Sequence, residues 1–375
     1  MPGLRPDIDP DGLLEYSVVF TDRSLNHMSK AFQHIMRDIH EVLCGVYHAD
    51  RAVVVPGGGT YAMEAVARQF ATGKTVMVIR NGFFSYRWTQ IFEAGSIPAH
   101  EIVMKARRVG EGPQAPFAPA SIDEVTARIR ADKPAVVFAP HVETASGMIL
   151  PDDYIRAVAD AVHEVGGLFV LDCIASGCVW VDMEKTGVDI LISAPQKGWS
   201  APPCAGLVMM NQAALEACRA AQSTSFAIDL AKWNTIMEAY LNGGHAYHAT
   251  MPTDALRTFH AAMMETKALG FETLAAAQWE QGNGVRRMLA ERGVRSVAAE
   301  GFGAPGVVVS FTDDPEVQAG RKFLALGYQI ASGVPLMVDE GPDYSSFRLG
   351  LFGLDKLKDV PASLARLDKA FAQLF

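Results

Sequence analysis

Ile190-Leu191-Ile192-Ser193-Ala194-Pro195-Gln196-Lys197-Gly198 is an apolar run of strand length that leads straight into a lysine. Lysine is almost never buried without a reason. At a strand end it can be desolvated, which lowers its pKa and makes the amine a nucleophile for Schiff-base chemistry. The ordinary alternative is a surface lysine in a loop. The apolar run before it and Trp199 after it weigh against that alternative.

Working outward from this stretch, short β-rich runs alternate with helical ones. Candidate strands are Ala52–Val55, Thr75–Ile79, Ala135–Ala139, Leu168–Leu171, Asp189–Ser193 and Gly206–Met210, several of them apolar on both faces as in strands covered by helices. The spacing predicts helices near Ala62–Phe70, Tyr86–Glu93, Ser121–Ala131 and Asp152–Val165, the third opening with Ser121 and Glu124 as a capping box. Such alternation means an α/β domain with a mostly parallel sheet. Upstream, apolar residues at helical spacing from Ser24 to His48 predict a long amphipathic helix, and the Pro- and Asp-rich residues 1–24 read as an arm over the body.

After about residue 253 the pattern changes. A helical stretch from Asp254 to Arg292, with breaks expected at Gly270 and Gly282, leads to strands Val307–Phe311 and Ser346–Leu351 and helices Pro315–Leu326 and Pro361–Leu374. The expected division is therefore an arm (1–24), a large domain (25–253) and a smaller C-terminal α+β domain (254–375).

Two further motifs bear on chemistry. Val55-Pro56-Gly57-Gly58-Gly59-Thr60 lies between a strand and a helix, where glycines let backbone amides approach an anion and the helix N-terminus adds free N–H groups. Gly-rich turns after strands are common, so alone this is a weak signal; it is neither a Walker loop nor a G-x-G-x-x-G fingerprint. Phe169-Val170-Leu171-Asp172 is an apolar strand ending in an acid, at the strand end where α/β sheets put ligands. That acid suits a metal, a ribose or a protonated ring nitrogen, and a lone Asp there is more often a cap.

Together the motifs are specific. PGGGTYAMEA, RNGFF, HVETASG, VLDCIASG, SAPQKGWSAPP, HATMP and FRLGL resemble, in this order, those of class V aminotransferases, in the alanine–glyoxylate and serine–glyoxylate branch. The resemblance runs from about residue 24 to the end, and SAPQKGWSAPP is its most specific piece. It implies pyridoxal 5'-phosphate (PLP) as cofactor, the fold type I architecture of a large parallel-sheet domain with a small C-terminal domain, and a homodimer with shared active sites.

By the same resemblance, Lys197 would hold PLP as a Schiff base and shuttle the substrate proton, while Asp172 would pair with the ring nitrogen. Gly58, Gly59, Thr60 and Gln196 would hold the phosphate. Phe84, where the family often has tryptophan, would stack on one ring face and Ile174 on the other, with Thr144 near the phenolic oxygen. Tyr247 and Thr250 would reach the neighbouring subunit's phosphate. Arg348 is the substrate candidate, because a guanidinium binds a carboxylate through two parallel hydrogen bonds and the alternating strand turns it away from Phe347, Leu349 and Leu351. Asn81 and Tyr16 are further substrate candidates. Where the family has a Pro-Gly-Pro opening, this chain has Asp9-Pro10-Asp11-Gly12-Leu13-Leu14-Glu15-Tyr16, so Tyr16 or Phe20, with Phe83 and Tyr86, would give a more aromatic pocket. Glu143 is expected only to position Thr144.

Several readings are disfavoured. A cysteine desulfurase needs a thiolate on the small domain, and the last of the five cysteines is Cys218. Transamination of 2-aminoethylphosphonate belongs to a neighbouring branch that usually has Asn where Gln196 stands. A non-catalytic relative would be expected to lose Lys197 or Asp172. No acid-terminated second strand supports a nucleotide-binding dehydrogenase. The formal net charge of −9 argues against sequence-independent nucleic-acid binding. No CxxC pair or Cys/His spacing suits zinc, so no metal is expected. The acid- and proline-bearing start does not resemble a signal peptide, and no stretch approaches the roughly 20 apolar residues of a membrane helix. A cytoplasmic protein that acts on an amino acid and a 2-oxo acid is the expectation.

Overall fold

In a computed structural model, which describes residues 5–9 and 13–375, the chain is a mixed α/β structure built on a mostly parallel sheet. Of the expected arm, residues 1–4 and 10–12 lie outside the described residues. Arg257 ties down part of the remainder by donating from Nη1 to the carbonyl of Ile8 at 3.2 Å.

The main sheet has seven strands in the spatial order Arg51–Pro56, Ala205–Met210, Ile190–Ser193, Leu168–Asp172, Val136–Pro140, Thr75–Arg80 and His100–Lys105. Ala205–Met210 runs antiparallel to both its neighbours, and the pairings from Ile190–Ser193 to His100–Lys105 are parallel. The six strands expected from sequence all lie in it, each shifted at its ends by one residue at most. The seventh, His100–Lys105, is an edge strand with only Ile102 buried, so its polar residues hide the strand signal. The interior strands are buried on both faces, and Trp88 seals one side against Phe138 with ring centroids 4.4 Å apart. Burying one such side chain contributes about 1.5–3 kcal/mol.

Helices cover the sheet much as the periodicity predicts. Ser29 caps Lys30–Tyr47, five residues inside the expected Ser24 boundary. Ser121 and Glu124 form the capping box at the head of Ile122–Asp132. The helices Gln212–Ala220 and Leu230–Leu241 were not expected. Farther on, the chain breaks at Gly270 (φ +91°) between Thr253–Leu269 and Phe271–Ala290, but it runs through Gly282 without a break. A Cβ at Gly282 would stand 2.5 Å from Pro305 Cα, so this glycine serves a close approach and not a helix end. The expected helix Pro315–Leu326 is instead two short helices, Pro315–Gln318 and Arg321–Ala325, divided at Gly320 in the left-handed region.

A second, antiparallel sheet places Ser346–Gly350 between Val307–Phe311 and Ala331–Ser332. Phe347 and Leu349 turn into a core with Val285, Leu289 and Phe371, which leaves Arg348 on the opposite face.

Candidate active site

Five parallel-running strands end along one edge of the main sheet, and the segments that follow them carry the candidate residues. Pro56 leads to Gly57–Thr60, Arg80 to Asn81–Phe84, Pro140 to His141–Thr144, Asp172 to Ile174, and Ser193 to Gln196–Lys197. Asp172 pairs in register with Pro140 on one side and Ile192 on the other, so it sits near the middle of that edge. Here the edge meets the second sheet in a cleft of about 520 Å³. Gly59, Thr60, Phe84, Thr144, Asp172, Ile174, Gln196, Lys197 and Arg348 all border it.

Asp172 is 8% exposed, and among the described residues its carboxyl accepts one hydrogen bond, from Ile174 N at 2.9 Å. Burial pushes its carboxyl up to about 7, and the Ile174 amide only partly offsets this. A carboxyl so placed ionises readily once a cationic group faces it. Lys197 shows the complementary effect. Burial lowers its pKa, the Arg348 charge lowers it further, and Asp172 opposes both. Its Nζ lies 5.4 Å from the Phe352 ring centroid. Burial also pulls down Arg348, whose Nε donates to Ser332 O at 2.8 Å and whose guanidinium stands 5.5 Å from the Phe84 ring centre.

The helix Gly59–Phe70 opens into the cleft without a side-chain cap. Among the described residues, the amides of Gly58, Gly59 and Thr60 find no protein acceptor. Gln196 Oε1 is likewise buried without a partner. The motifs also pack on one another, since a Cβ at Gly59 would meet Ile174 Cδ1 at 2.5 Å. Free helix-terminal amides suit a phosphate, and a buried acid suits a protonated ring nitrogen. The residues present therefore fit the cofactor that the sequence resemblance implies.

Other candidates lie elsewhere. Asn81 is buried away from the cleft lining, its amide donating to Ser85 Oγ at 2.9 Å. Tyr16 is 90% exposed and, with Phe20, lines a separate hollow on the arm. Phe83 and Tyr86 do not line the cleft either; Tyr86 lies under the Arg80 guanidinium at 4.7 Å. Tyr247 and Thr250 bond each other at 3.0 Å on the surface, outside this chain's own cleft.

Three features were missed from sequence. Arg87 borders the cleft, and its signal was its place three residues after Phe84, on the same helix face. Phe352, four residues after Arg348, covers Lys197. Glu143 does more than position Thr144. It is fully buried and accepts from Phe84 N, Ser85 N, Ser85 Oγ and Ala145 N at 2.7–3.2 Å, so it holds the head of the helix Phe83–Gly95. None of the five thiols borders the cleft.

Comparison with known proteins points to the family whose motifs the sequence resembles. Residues 13–303 match the family model "Aminotransferase class-V". The "Soluble hydrogenase 42 kDa subunit" of Anabaena cylindrica is 24% identical, with 93% of this chain and 88% of that one covered. The "Alanine--glyoxylate aminotransferase 1" of Saccharomyces cerevisiae is 26% identical, covering 88% and 86%. A "2-aminoethylphosphonate--pyruvate transaminase" of Paraburkholderia phymatum is 26% identical, covering 92% and 89%. Among solved structures, an alanine–glyoxylate aminotransferase from Nostoc superposes with a TM-score of 0.77 at 22% identity, over 92% of this chain and 88% of the other.

Proposed function

The chain belongs to the class V aminotransferase family, a PLP-dependent enzyme of fold type I, and from that premise we propose the substrates and the residues that carry the reaction. It moves an amino group from a small alanine- or serine-like amino acid to a 2-oxo acid such as glyoxylate or pyruvate. The observation that carries this reading is the convergence of Lys197, Asp172, Arg348 and an uncapped helix N-terminus on one cleft.

When bound, PLP supplies an electron sink for charge that develops at the donor's Cα. The chain's own residues do the rest. Asp172 would pair with the ring nitrogen and keep its proton in place. Gly58, Gly59, Thr60 and Gln196 would hold the phosphate, Phe84 and Ile174 would border the ring, and Thr144 would serve its phenolic oxygen. Arg348, oriented by Ser332 O, clamps the donor carboxylate. Lys197 would attach the cofactor and carry the Cα proton on Nζ; its lowered pKa favours the neutral amine this needs. Phe352 screens that amine from water.

The outward-turned Tyr247 and Thr250 support a homodimer in which each reaches its partner's phosphate, and the exposed Tyr16 and Phe226 suit a covered face. Under this reading Tyr16 serves the partner's substrate pocket, and Asn81 acts through the Phe84 helix. We propose an arm at 1–24, a large domain at 25–253 and a small domain at 254–375. Among the described residues no helix is long and apolar enough to cross a membrane; a cytoplasmic location is our reading.

A donor with a phosphonate in place of the carboxylate is a second reading, favoured by the Paraburkholderia phymatum relative. Reconstitution with PLP followed by single-turnover spectra against a panel of donors and acceptors separates the two. A folded protein that takes up no PLP overturns the residue assignments. Turnover of the phosphonate alone replaces the carboxylate donor.

A further inference from the structure

Arg87 lies one helical turn beyond Phe84, so both side chains leave the same face of Phe83–Gly95. That face turns to the cleft at the head of Gly59–Phe70. Arg87 Nη1 donates to Thr60 Oγ1 at 3.2 Å, and the guanidinium stands 5.1 Å from the Phe84 ring centre. Among the described residues no carboxylate forms an ion pair with it. Its charge reaches as far as Asp172, whose carboxyl it helps to hold down. A half-buried guanidinium without a counter-ion therefore stands beside amides that have no acceptor.

We infer that Arg87 is a phosphate-holding residue for the cofactor, an inference that rests on the PLP reading above. A guanidinium presents five donors in a plane and matches phosphate oxygens better than any other side chain. Binding to Thr60 adds a second effect. Because Oγ1 accepts from Arg87, the Thr60 hydroxyl hydrogen is directed elsewhere, towards the anion that the helix terminus attracts. The same guanidinium lies against Phe84, so the group that neutralises the phosphate also braces the ring beside the cofactor. Arg87 thus links the phosphate and ring subsites.

The test compares two ligands of the cofactor-free full-length protein: PLP, and pyridoxal, which lacks only the phosphate. Binding is read by quenching of intrinsic fluorescence, with Arg87→Gln and the charge-conserving Arg87→Lys beside the unaltered chain. Loss of charge-assisted hydrogen bonds to the phosphate should weaken PLP about 10- to 100-fold in Arg87→Gln. Pyridoxal affinity should move less than about threefold, and Arg87→Lys should recover part of the loss. Unchanged PLP affinity overturns the inference, and so does an equal loss of both ligands, which would make Arg87 a brace for Phe84 alone. A raised KM for acidic donors at unchanged PLP affinity also overturns it, by assigning the guanidinium to the substrate. Failure of the unaltered chain to bind PLP is a different result and falls on the cofactor reading itself.

Discussion

Glu143 holds Ser85 through two hydrogen bonds, accepting from its amide at 2.8 Å and from its hydroxyl at 2.7 Å. Ser85 in turn accepts from the amides of Asn81 and Gly82, so one buried carboxylate fixes the turn that presents Phe84 to the cleft. Every partner of Glu143 is a donor. Glu143→Gln keeps the shape but points an NH₂ group at some of these donors, leaving a buried mismatch that costs about 1–3 kcal/mol. Urea denaturation should show this loss, and PLP affinity should fall with it as the Phe84 ring loosens. An unchanged unfolding midpoint would remove Glu143 from that role.

Asp172 gives the cofactor-free protein a characteristic pH dependence. Its folded pKa is raised to about 7 from an ordinary 3.8. Between these values the folded chain holds a proton that the unfolded chain has released, so stability falls as pH rises across the window. The full contribution is present below about 4 and is gone above about 7. A protonated ring nitrogen opposite Asp172 favours the ionised form and removes this slope. Cofactor-free protein should therefore lose melting temperature from pH 5 to 7.5 relative to Asp172→Asn, and the PLP-loaded protein should not. Parallel profiles for the two forms would contradict the pairing of Asp172 with the cofactor.

How much of this was legible beforehand depended on how local each signal is. Lys197, Asp172 and Gly59 announced themselves because each ends an apolar run or opens a helix, and those patterns lie within a few residues. Gly282 misled because its cause, the Pro305 backbone, is distant in sequence. His100–Lys105 escaped notice as an edge strand that lacks the apolar run of its neighbours. Glu143 escaped because its main partners are 58 and 59 residues away. Which residues border the cleft could be read from local patterns; what braces them across the fold could not.

Lys197 should be the point of covalent attachment. Hydride reduction of the PLP-loaded enzyme followed by peptide mapping should trap the cofactor on the peptide that contains it. Lys197→Ala should lower kcat by about 10²–10⁴-fold, the usual range for a lost acid–base group, with the fold retained. A trapped label on any other lysine would move the assignment.

Arg348 should act on the donor and not on the cofactor. Its guanidinium is aimed by Ser332 O and enters the cleft from the second sheet, on a strand separate from the helix terminus that suits the phosphate. Arg348→Ala removes hydrogen bonds to a charged group worth about 1.5–3 kcal/mol. That corresponds to a roughly 10- to 100-fold higher KM for the donor. The visible spectrum of the loaded enzyme should stay close to that of the parent. Unchanged donor kinetics would refute the clamp.

Gly198 should prove as important as the lysine before it, for a steric reason. A Cβ there would stand 2.0 Å from Gly177 O and 2.6 Å from Gly177 C, both backbone atoms that cannot swing aside as a side chain would. The contact joins the loop after Asp172 to the loop that carries Lys197, and Cys178 Sγ reinforces it by donating to Gly198 O at 3.4 Å. Gly198→Ala must push the two loops apart, at an overpacking cost of about 1–3 kcal/mol, and it takes Lys197 away from Asp172 as it does so. Stability and cofactor affinity should therefore fall together. Gly58 is the contrast, because an added methyl meets nothing within 4 Å and the backbone there is extended. Gly58→Ala should keep the parent's unfolding midpoint. If both variants unfold alike, the Gly177–Gly198 contact is not what holds the two halves of the site in register.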